Sequence, residues 1–462
     1  MKAVSFTAPQ IHHGSERINP TKLKTLLKNN PIPTIQSSSS SNTTTTTGIP
    51  FHYEYGTAGF RYHHTLLPPI MIRMGILSSL RSASINGESV GIMITASHNP
   101  EQDNGVKLSD STGGMLPSKW EVMATKIANA NDVVLNNWIH DYANQQQQKK
   151  DGNKNNNKMP MIVVHIGRDT RSHSYPLSQL AMQTILALGG GCNTTVIDHG
   201  CVTTPQLHYY VLRSNMQNMP NSLLTMSSGI GFERDYMEGM IGTYLTLIAT
   251  ATGTGTGITT THDNDQNGKG STKRRMLVDC ACGIGGLKIP ILNNLLRQYE
   301  IEGGIIHPQS QSQPSTTETK AVTLIPCNVP GDGPLNENCG AEYVQKQQKI
   351  PTIFQNNEPI VQPQQQPIMD YVASLDGDAD RIVFHYKNEK GNLVLLDGDK
   401  IAVLVSSFLQ EELDSLATAV PDAKGIQCGV VQTAYANGSS TNYLKVSSMC
   451  IFMEYQFDFI CF

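Results

Sequence analysis

The sequence predicts an α/β protein of several consecutive domains, each built on a mixed, mostly parallel sheet. At 462 residues the chain exceeds what one hydrophobic core ordinarily serves, so two to four domains are expected. Strand-like apolar blocks alternate with helix-like ones, the pattern of parallel strands covered by helices. Three strand-like blocks end in loops rich in Gly, Asp, Ser or Thr: Thr95 to Gly105, Gly167 to Ser172 and Leu375 to Arg381. Ligands of α/β folds gather at such carboxyl ends, and if the three loops converge they build one cleft.

From the N-terminus, Met1 to Ser15 holds no apolar stretch long enough for a signal peptide, and nowhere do about 18 apolar residues follow one another. Val90 to Thr95, Met161 to Ile166 and Met276 to Asp279 read as strands, and Leu177 to Leu188 as an amphipathic helix ended by Gly189. Ser37 to Thr47, Gln145 to Lys158, Ala249 to Gly270, Gln309 to Thr319 and Gln362 to Gln366 are too polar and repetitive to bury surface, so they read as surface loop insertions. After Leu444 the composition changes, and 446–462 is an apolar Met, Cys and Phe-rich tail without polar alternation.

A net charge of -4 and the lack of a basic, aromatic-interleaved stripe exclude nucleic acid or an anionic membrane as principal partner and leave a small anionic substrate open. Nine cysteines without CxxC pairs read as reduced thiols, so a soluble, cytoplasmic protein is expected.

Thr95-Ala96-Ser97-His98-Asn99-Pro100 follows an apolar strand and precedes Asn104-Gly105-Val106-Lys107. A serine exposed at a strand end, with His98 and Lys107 nearby, has what a nucleophile or phosphoryl carrier needs; a polar turn capping a helix would look the same. Asp376-Gly377-Asp378-Ala379-Asp380-Arg381 brings three hard carboxylates to one point around a glycine, which suits an oxygen-liganded divalent cation. An EF-hand is excluded, because the twelfth position is Lys387 and the loop follows a strand. Without a cation the three carboxylates would repel one another. Gly56-Thr57-Ala58-Gly59-Phe60-Arg61 and Gly167-Arg168-Asp169-Thr170-Arg171 offer backbone N–H groups and guanidinium groups to a phosphate; structural ion pairs explain them equally well.

Taken together, the Ser97 loop, the Asp376 to Arg381 loop and the Gly56 to Arg61 opening resemble the α-D-phosphohexomutases. Val202 to Tyr209, Leu335 to Val344 and Gly429 to Thr441 resemble the phosphoacetylglucosamine mutase branch, and the likeness runs from about Pro50 to Leu444. The resemblance implies interconversion of N-acetylglucosamine 6-phosphate and N-acetylglucosamine 1-phosphate, a step towards UDP-N-acetylglucosamine, through a phosphoserine at Ser97 and a bisphosphorylated sugar. It implies one Mg2+ per chain, held by Asp376, Asp378, Asp380 and an oxygen of phosphorylated Ser97. It carries over Lys107 as a proton-transfer group, which as a base needs a lowered pKa, with His98 beside the nucleophile and Arg381 steadying phosphoryl oxygens. Arg61 follows as a supporting cation and Thr57, Asn99 and Arg171 as substrate-binding groups.

The implied organisation is a poorly ordered segment over 1–48, domain 1 with the serine loop over 49–198, domain 2 with the metal loop over 199–396, and the start of a sugar-binding domain 3 over 397–445, opening on Asp397-Gly398-Asp399-Lys400 and a helix over Ile401 to Leu409. Domain 3 reads as incomplete and a fourth domain has no counterpart, so little mutase activity is expected of this chain. The tail, 446–462, reads as aberrant, with no sheet partner and the look of a translated intron or frameshift. Two alternatives stay open: a phosphohydrolase in which water takes the phosphoryl group from Ser97, and a fragment that binds magnesium or phosphosugar without turnover.

Overall fold

The computed structural model describes residues 8–14, 19–35, 49–56, 59–138, 161–189, 194–216, 230–252, 275–301, 322–355, 371–388, 390–420, 428–433, 436–446 and 450–455. The polar stretches expected as loop insertions lie outside these residues, except that Ala249 to Thr252 form the last turn of the helix Ile230–Thr252.

The strands, in chain order, are β1 (Gln10–His13), β2 (Thr34–Ile35), β3 (Ile49–Pro50), β4 (Phe60–His63), β5 (Val90–Ile94), β6 (Asp103–Ser109), β7 (Ile162–Arg168), β8 (Thr194–Cys201), β9 (Arg275–Asp279), β10 (Thr323–Cys327), β11 (Tyr371–Leu375), β12 (Ile382–Lys387), β13 (Leu393–Leu396), β14 (Cys428–Thr433) and β15 (Cys450–Tyr455). A six-stranded sheet runs β1-β8-β7-β5-β6-β4 and a five-stranded sheet runs β10-β9-β11-β12-β13. Parallel pairs form the middle of the first sheet and one side of the second, β10-β9-β11, and antiparallel strands complete the rest, a more even mixture than the sequence pattern predicts. The reason is local. The serine loop between β5 and β6 and the metal loop between β11 and β12 are too short for a crossover, so each strand returns antiparallel. Both loops therefore sit at the carboxyl ends of strands that are parallel to their other neighbour, β7 and β9.

The helix Pro68–Ser84 is buried along most of its length against the first sheet and against the helix Ser174–Leu188, which packs on the same sheet. Gly75 allows that approach, because a Cβ there would lie 2.9 Å from the carbonyl of Ala181. One apolar core fills this unit, from Leu23 to Val196.

Two sequence expectations are corrected. Residues 1–48 are not poorly ordered throughout: β1 pairs with β8, and Asn19 caps the helix Pro20–Asn29, which buries Leu23 and Leu27 on one face, four residues apart, in the main core. The tail does find a sheet partner. β15 runs parallel to β14 across six registered residues, joined through the helix Gly438–Val446 as a β-α-β unit. A continuous apolar run is the signature of a parallel strand, so the missing polar alternation is no sign of foreign sequence. The expected helix over Ile401 to Leu409 is longer, Gly398–Ala419, and starts at the Asp397 cap, whose side chain accepts from the Lys400 N–H.

Candidate active site

Where the two large sheets meet, the carboxyl end of β5 faces that of β11. Ser97 follows β5 with a left-handed backbone (φ 53°) and 1% exposure. That unusual conformation turns its hydroxyl across to the metal loop, where Oγ donates to Asp376 Oδ2 at 2.6 Å and lies 3.3 Å from Asp380 Oδ1. Gly377 makes room: a Cβ there would fall 2.7 Å from the Ser97 carbonyl oxygen. Asp376 Oδ1 accepts the backbone N–H groups of Asp380 and Arg381, which curls the loop around its first carboxylate.

The other carboxylates face Lys107 on β6. Its ammonium reaches Asp378 Oδ2 at 2.9 Å and Asp380 Oδ2 at 2.6 Å. Burial alone would lower the lysine pKa, but the two carboxylates outweigh it and hold the pKa above the ordinary value. In this arrangement Lys107 is a paired cation, without the lowered pKa that a base needs. Asp378 is shifted the opposite way. Burial opposes its charge, yet Lys107 and Thr204 keep it below the usual carboxylate range. Asp376 is pushed well above that range by burial and by the charges of Asp378 and Asp380.

Single ligand oxygens of Asp376, Asp378 and Asp380 all lie within 4.8 Å of one another, and Asp378 Oδ1 is buried with no hydrogen-bond partner among the described residues. Three converging hard oxygens, one of them buried and unpaired, fit a divalent cation such as Mg2+.

Around this centre, Arg381 donates to Glu342 at 2.8 Å and its Nη2 contacts His98 Nδ1. His98 is held neutral, its pKa lowered to about 4 by burial and the Arg381 charge. Its Nδ1 accordingly accepts from the guanidinium and carries no proton to exchange with Ser97. Arg61, on β4 opposite Gly105, has a buried Nε without a partner among the described residues, and its charge reaches His98. Thr57 lies outside the described residues. Asn99 presents its carbonyl to Arg171 Nη2 at 2.7 Å and its amide to Asp103 at 3.1 Å. The third loop lies against the serine loop, since the Asp169 N–H donates to the Ile94 carbonyl and Arg171 reaches the Asn99 carbonyl. The side chain of Arg171 is however 0% exposed and paired with Asp169. Of its two readings the geometry supports the ion pair, not a substrate contact.

Two family models match the chain: "Phosphoglucomutase/phosphomannomutase, alpha/beta/alpha domain I" over 80–133, and "Phosphoacetylglucosamine mutase AMG1, domain III" over 397–454. The phosphoacetylglucosamine mutase of Homo sapiens is 37% identical over 394 residues, which cover 85% of this chain and 59% of the relative. The chain belongs to the α-D-phosphohexomutases. The phosphoacetylglucosamine mutase of Saccharomyces cerevisiae is 34% identical, across 86% of this chain and 62% of the relative, so the chain spans about three fifths of the length of these curated phosphohexomutases. Among solved structures, an N-acetylglucosamine-phosphate mutase in its apo form matches with a TM-score of 0.65 at 29% identity, over 94% of this chain and 76% of that one. The Aspergillus fumigatus N-acetylphosphoglucosamine mutase in complex with GlcNAc-6P and magnesium matches with a TM-score of 0.62 at 31% identity, over 88% of this chain and 63% of that one. The domain III match runs through residue 454, so most of β15 falls inside family sequence, a second finding against an aberrant tail.

Three site residues are not evident from the sequence alone. Thr204 donates from Oγ1 to Asp378 Oδ2 at 2.6 Å, and its N–H donates to the Asp378 carbonyl. A signal for it exists: Thr203 and Gln206 form a capping box that starts the helix Thr204–Asn215 at this point. Asn336 and Glu342 lie in the stretch Leu335 to Val344, which points to the family branch, and nothing in their spacing announces a contact with Ser97 or Arg381.

Proposed function

We propose that this chain carries the phosphoryl-transfer centre of a phosphoacetylglucosamine mutase, interconverting N-acetylglucosamine 6-phosphate and N-acetylglucosamine 1-phosphate. The observation that carries this reading is the contact of Ser97 Oγ with Asp376 Oδ2 at 2.6 Å, inside a three-carboxylate cluster. Ser97 is the phosphoryl carrier. From phosphorylated Ser97, the free sugar hydroxyl attacks phosphorus and gives its proton to Lys107 as Lys107 passes one to Asp380 Oδ2; the P–Oγ bond breaks as the new P–O bond forms, giving a sugar bisphosphate and a Ser97 Oγ that takes up a proton from Asp376. In the return step Ser97 Oγ attacks the other phosphate, its proton directed at Asp376 Oδ2, and the departing sugar oxygen takes a proton from Lys107.

Asp376, Asp378, Asp380 and an oxygen of phosphorylated Ser97 would hold one Mg2+. Bound there, it would neutralise charge on the transferring phosphoryl oxygens. Arg381, kept above the ordinary guanidinium range by Asp376, Asp380 and Glu342 against the effect of burial, and Arg61 add fixed positive charge beside the same oxygens. Arg381 also serves to orient neutral His98. The magnesium and GlcNAc-6P named for the A. fumigatus relative support this ligand set.

The reading places Ser97 in a domain over 49–198, the metal loop in one over 199–396, and the start of a sugar-binding domain at 397. The separate sheets and the two family models support that division. Among the described residues no helix is long and apolar enough to cross a membrane, and free thiols at Cys201, Cys280, Cys282, Cys327 and Cys339 support a cytoplasmic protein whose partner is a small phosphosugar. Phosphorus NMR of the protein with N-acetylglucosamine 6-phosphate, Mg2+ and a trace of glucose 1,6-bisphosphate tests it. The 1-phosphate resonance is expected to grow; release of inorganic phosphate alone would assign a phosphohydrolase instead.

A further inference from the structure

We propose that Asn336 is a positioning residue that fixes the nucleophile over the metal loop, a role that rests on the phosphoserine reading of Ser97. Both hydrogens of its side-chain amide are used, on the Ser97 carbonyl at 2.8 Å and the Asn99 carbonyl at 3.0 Å. Its own N–H donates to the Ala281 carbonyl at 3.0 Å, which ties the loop to the end of β9. Asn336 too is left-handed (φ 61°), and buried Leu335 beside it packs where a Gly377 side chain would sit. The side-chain amide thus holds the serine loop, the backbone N–H of the same residue holds the turn after β9, and the metal loop packs closely beside both at Gly377.

The chemistry selects asparagine. Two carbonyls must be met by two N–H donors from one short side chain; aspartate has the same shape and no donor. The need arises at Ser97, whose left-handed backbone is uncommon for a residue with a Cβ and persists only where the surroundings over-determine it. Its carbonyl is buried and has no other partner among the described residues' hydrogen bonds. With Asn336 removed, that carbonyl loses its partner and the backbone can relax. The side chain of residue 97 then turns away from Asp376 and Asp380, while all three carboxylates keep their own positions.

The test reads side-chain position directly and needs no sugar. In a Ser97→Cys background, CdCl2 should give a thiolate-to-cadmium charge-transfer absorption at one equivalent, measured as the difference from the parent chain so that the native thiols cancel. With Asn336→Ala added, Cd2+ should still bind to the three carboxylates, but that absorption should disappear. Asn336→Asp, which keeps the shape, should behave the same way. In the serine protein, the rate of Ser97 phosphorylation by glucose 1,6-bisphosphate should fall roughly 100-fold in either variant, the scale expected of a misplaced reactant, with Mg2+ affinity unchanged. Full absorption in both double variants would overturn the proposal. Loss of Cd2+ binding, or loss of folding in both, would also overturn it, because Asn336 would then be a structural residue of the loop. Absence of Ser97 phosphorylation in the unmutated protein, alongside the expected cadmium result, would sink the mutase reading and leave the positioning role standing.

Discussion

Replacing Asp378 by asparagine should lower stability even without metal, and lower Mg2+ affinity further. The Asp378 carboxylate is unexposed and accepts from Lys107 at 2.9 Å and Thr204 at 2.6 Å. At an effective dielectric of about 20, a charge pair at 2.9 Å attracts by roughly 6 kcal/mol. Repulsion opposes it: oxygens within 4.8 Å of one another cost at least about 3.5 kcal/mol per charged pair at the same dielectric. Asp376, whose pKa burial and the charges of Asp378 and Asp380 push well above the usual carboxylate range, repels less, which leaves Asp380 as the main repelling neighbour. The difference favours Asp378 by roughly 2 kcal/mol, and weakening the charge-assisted bond from Thr204 adds about 1 kcal/mol. Asp378→Asn should therefore lose about 2–3 kcal/mol, a fall of several degrees in Tm by calorimetry in chelator. Mg2+ affinity by titration calorimetry should fall at least roughly tenfold, since a charged ligand has been removed from the set. An unchanged Tm together with unchanged affinity would show that the loop is a structural turn.

Thr204→Val keeps the shape and removes the donor to a buried carboxylate, so a loss of about 1–3 kcal/mol is expected in chemical denaturation; no loss would mean that Asp378 is satisfied without it. Leu23→Ala should destabilise by about 2–5 kcal/mol, because Leu23 is 0% exposed in the main core; an effect within about 0.5 kcal/mol would show that the N-terminal helix does not pack there. His165, stacked on His199 and bonded to it at 2.8 Å, has its pKa lowered to about 3 by burial. A base whose folded pKa lies below its unfolded value of about 6.5 contributes stability that is complete above that pH and lost as pH falls towards the folded value. Acid titration of Tm between pH 7 and 4 should thus show a decline that is shallower in His165→Gln; parallel curves would refute it.

What the sequence reveals divides along physical lines. Ser97 and the Asp376 to Arg381 loop are legible because each follows an apolar strand and concentrates unusual chemistry within a few residues. Convergence of the loops stays a condition at the level of sequence, since Lys107 and Asp378 are 271 positions apart and meet only through the packing of two sheets. Thr204, Asn336 and Glu342 are hidden for the same reason: their partners lie on other segments. Arg171 looks like a phosphate ligand because a guanidinium beside a glycine turn reads alike whether it is exposed or sealed against Asp169. The N-terminal helix is obscured because polar flanks dilute Leu23 and Leu27. β15 is obscured because a continuous apolar run fails the standard of a half-exposed strand.

The most direct test of the central claim is peptide-level mass spectrometry of the protein after incubation with glucose 1,6-bisphosphate and Mg2+. If Ser97 is the phosphoryl carrier, one phosphoryl group should appear on the peptide containing Ser97, depend on Mg2+, and be absent from Ser97→Ala, which keeps the three carboxylates and should still bind the metal. A phosphoryl group on any other residue, or none at all in a protein shown by titration to hold Mg2+, would contradict it.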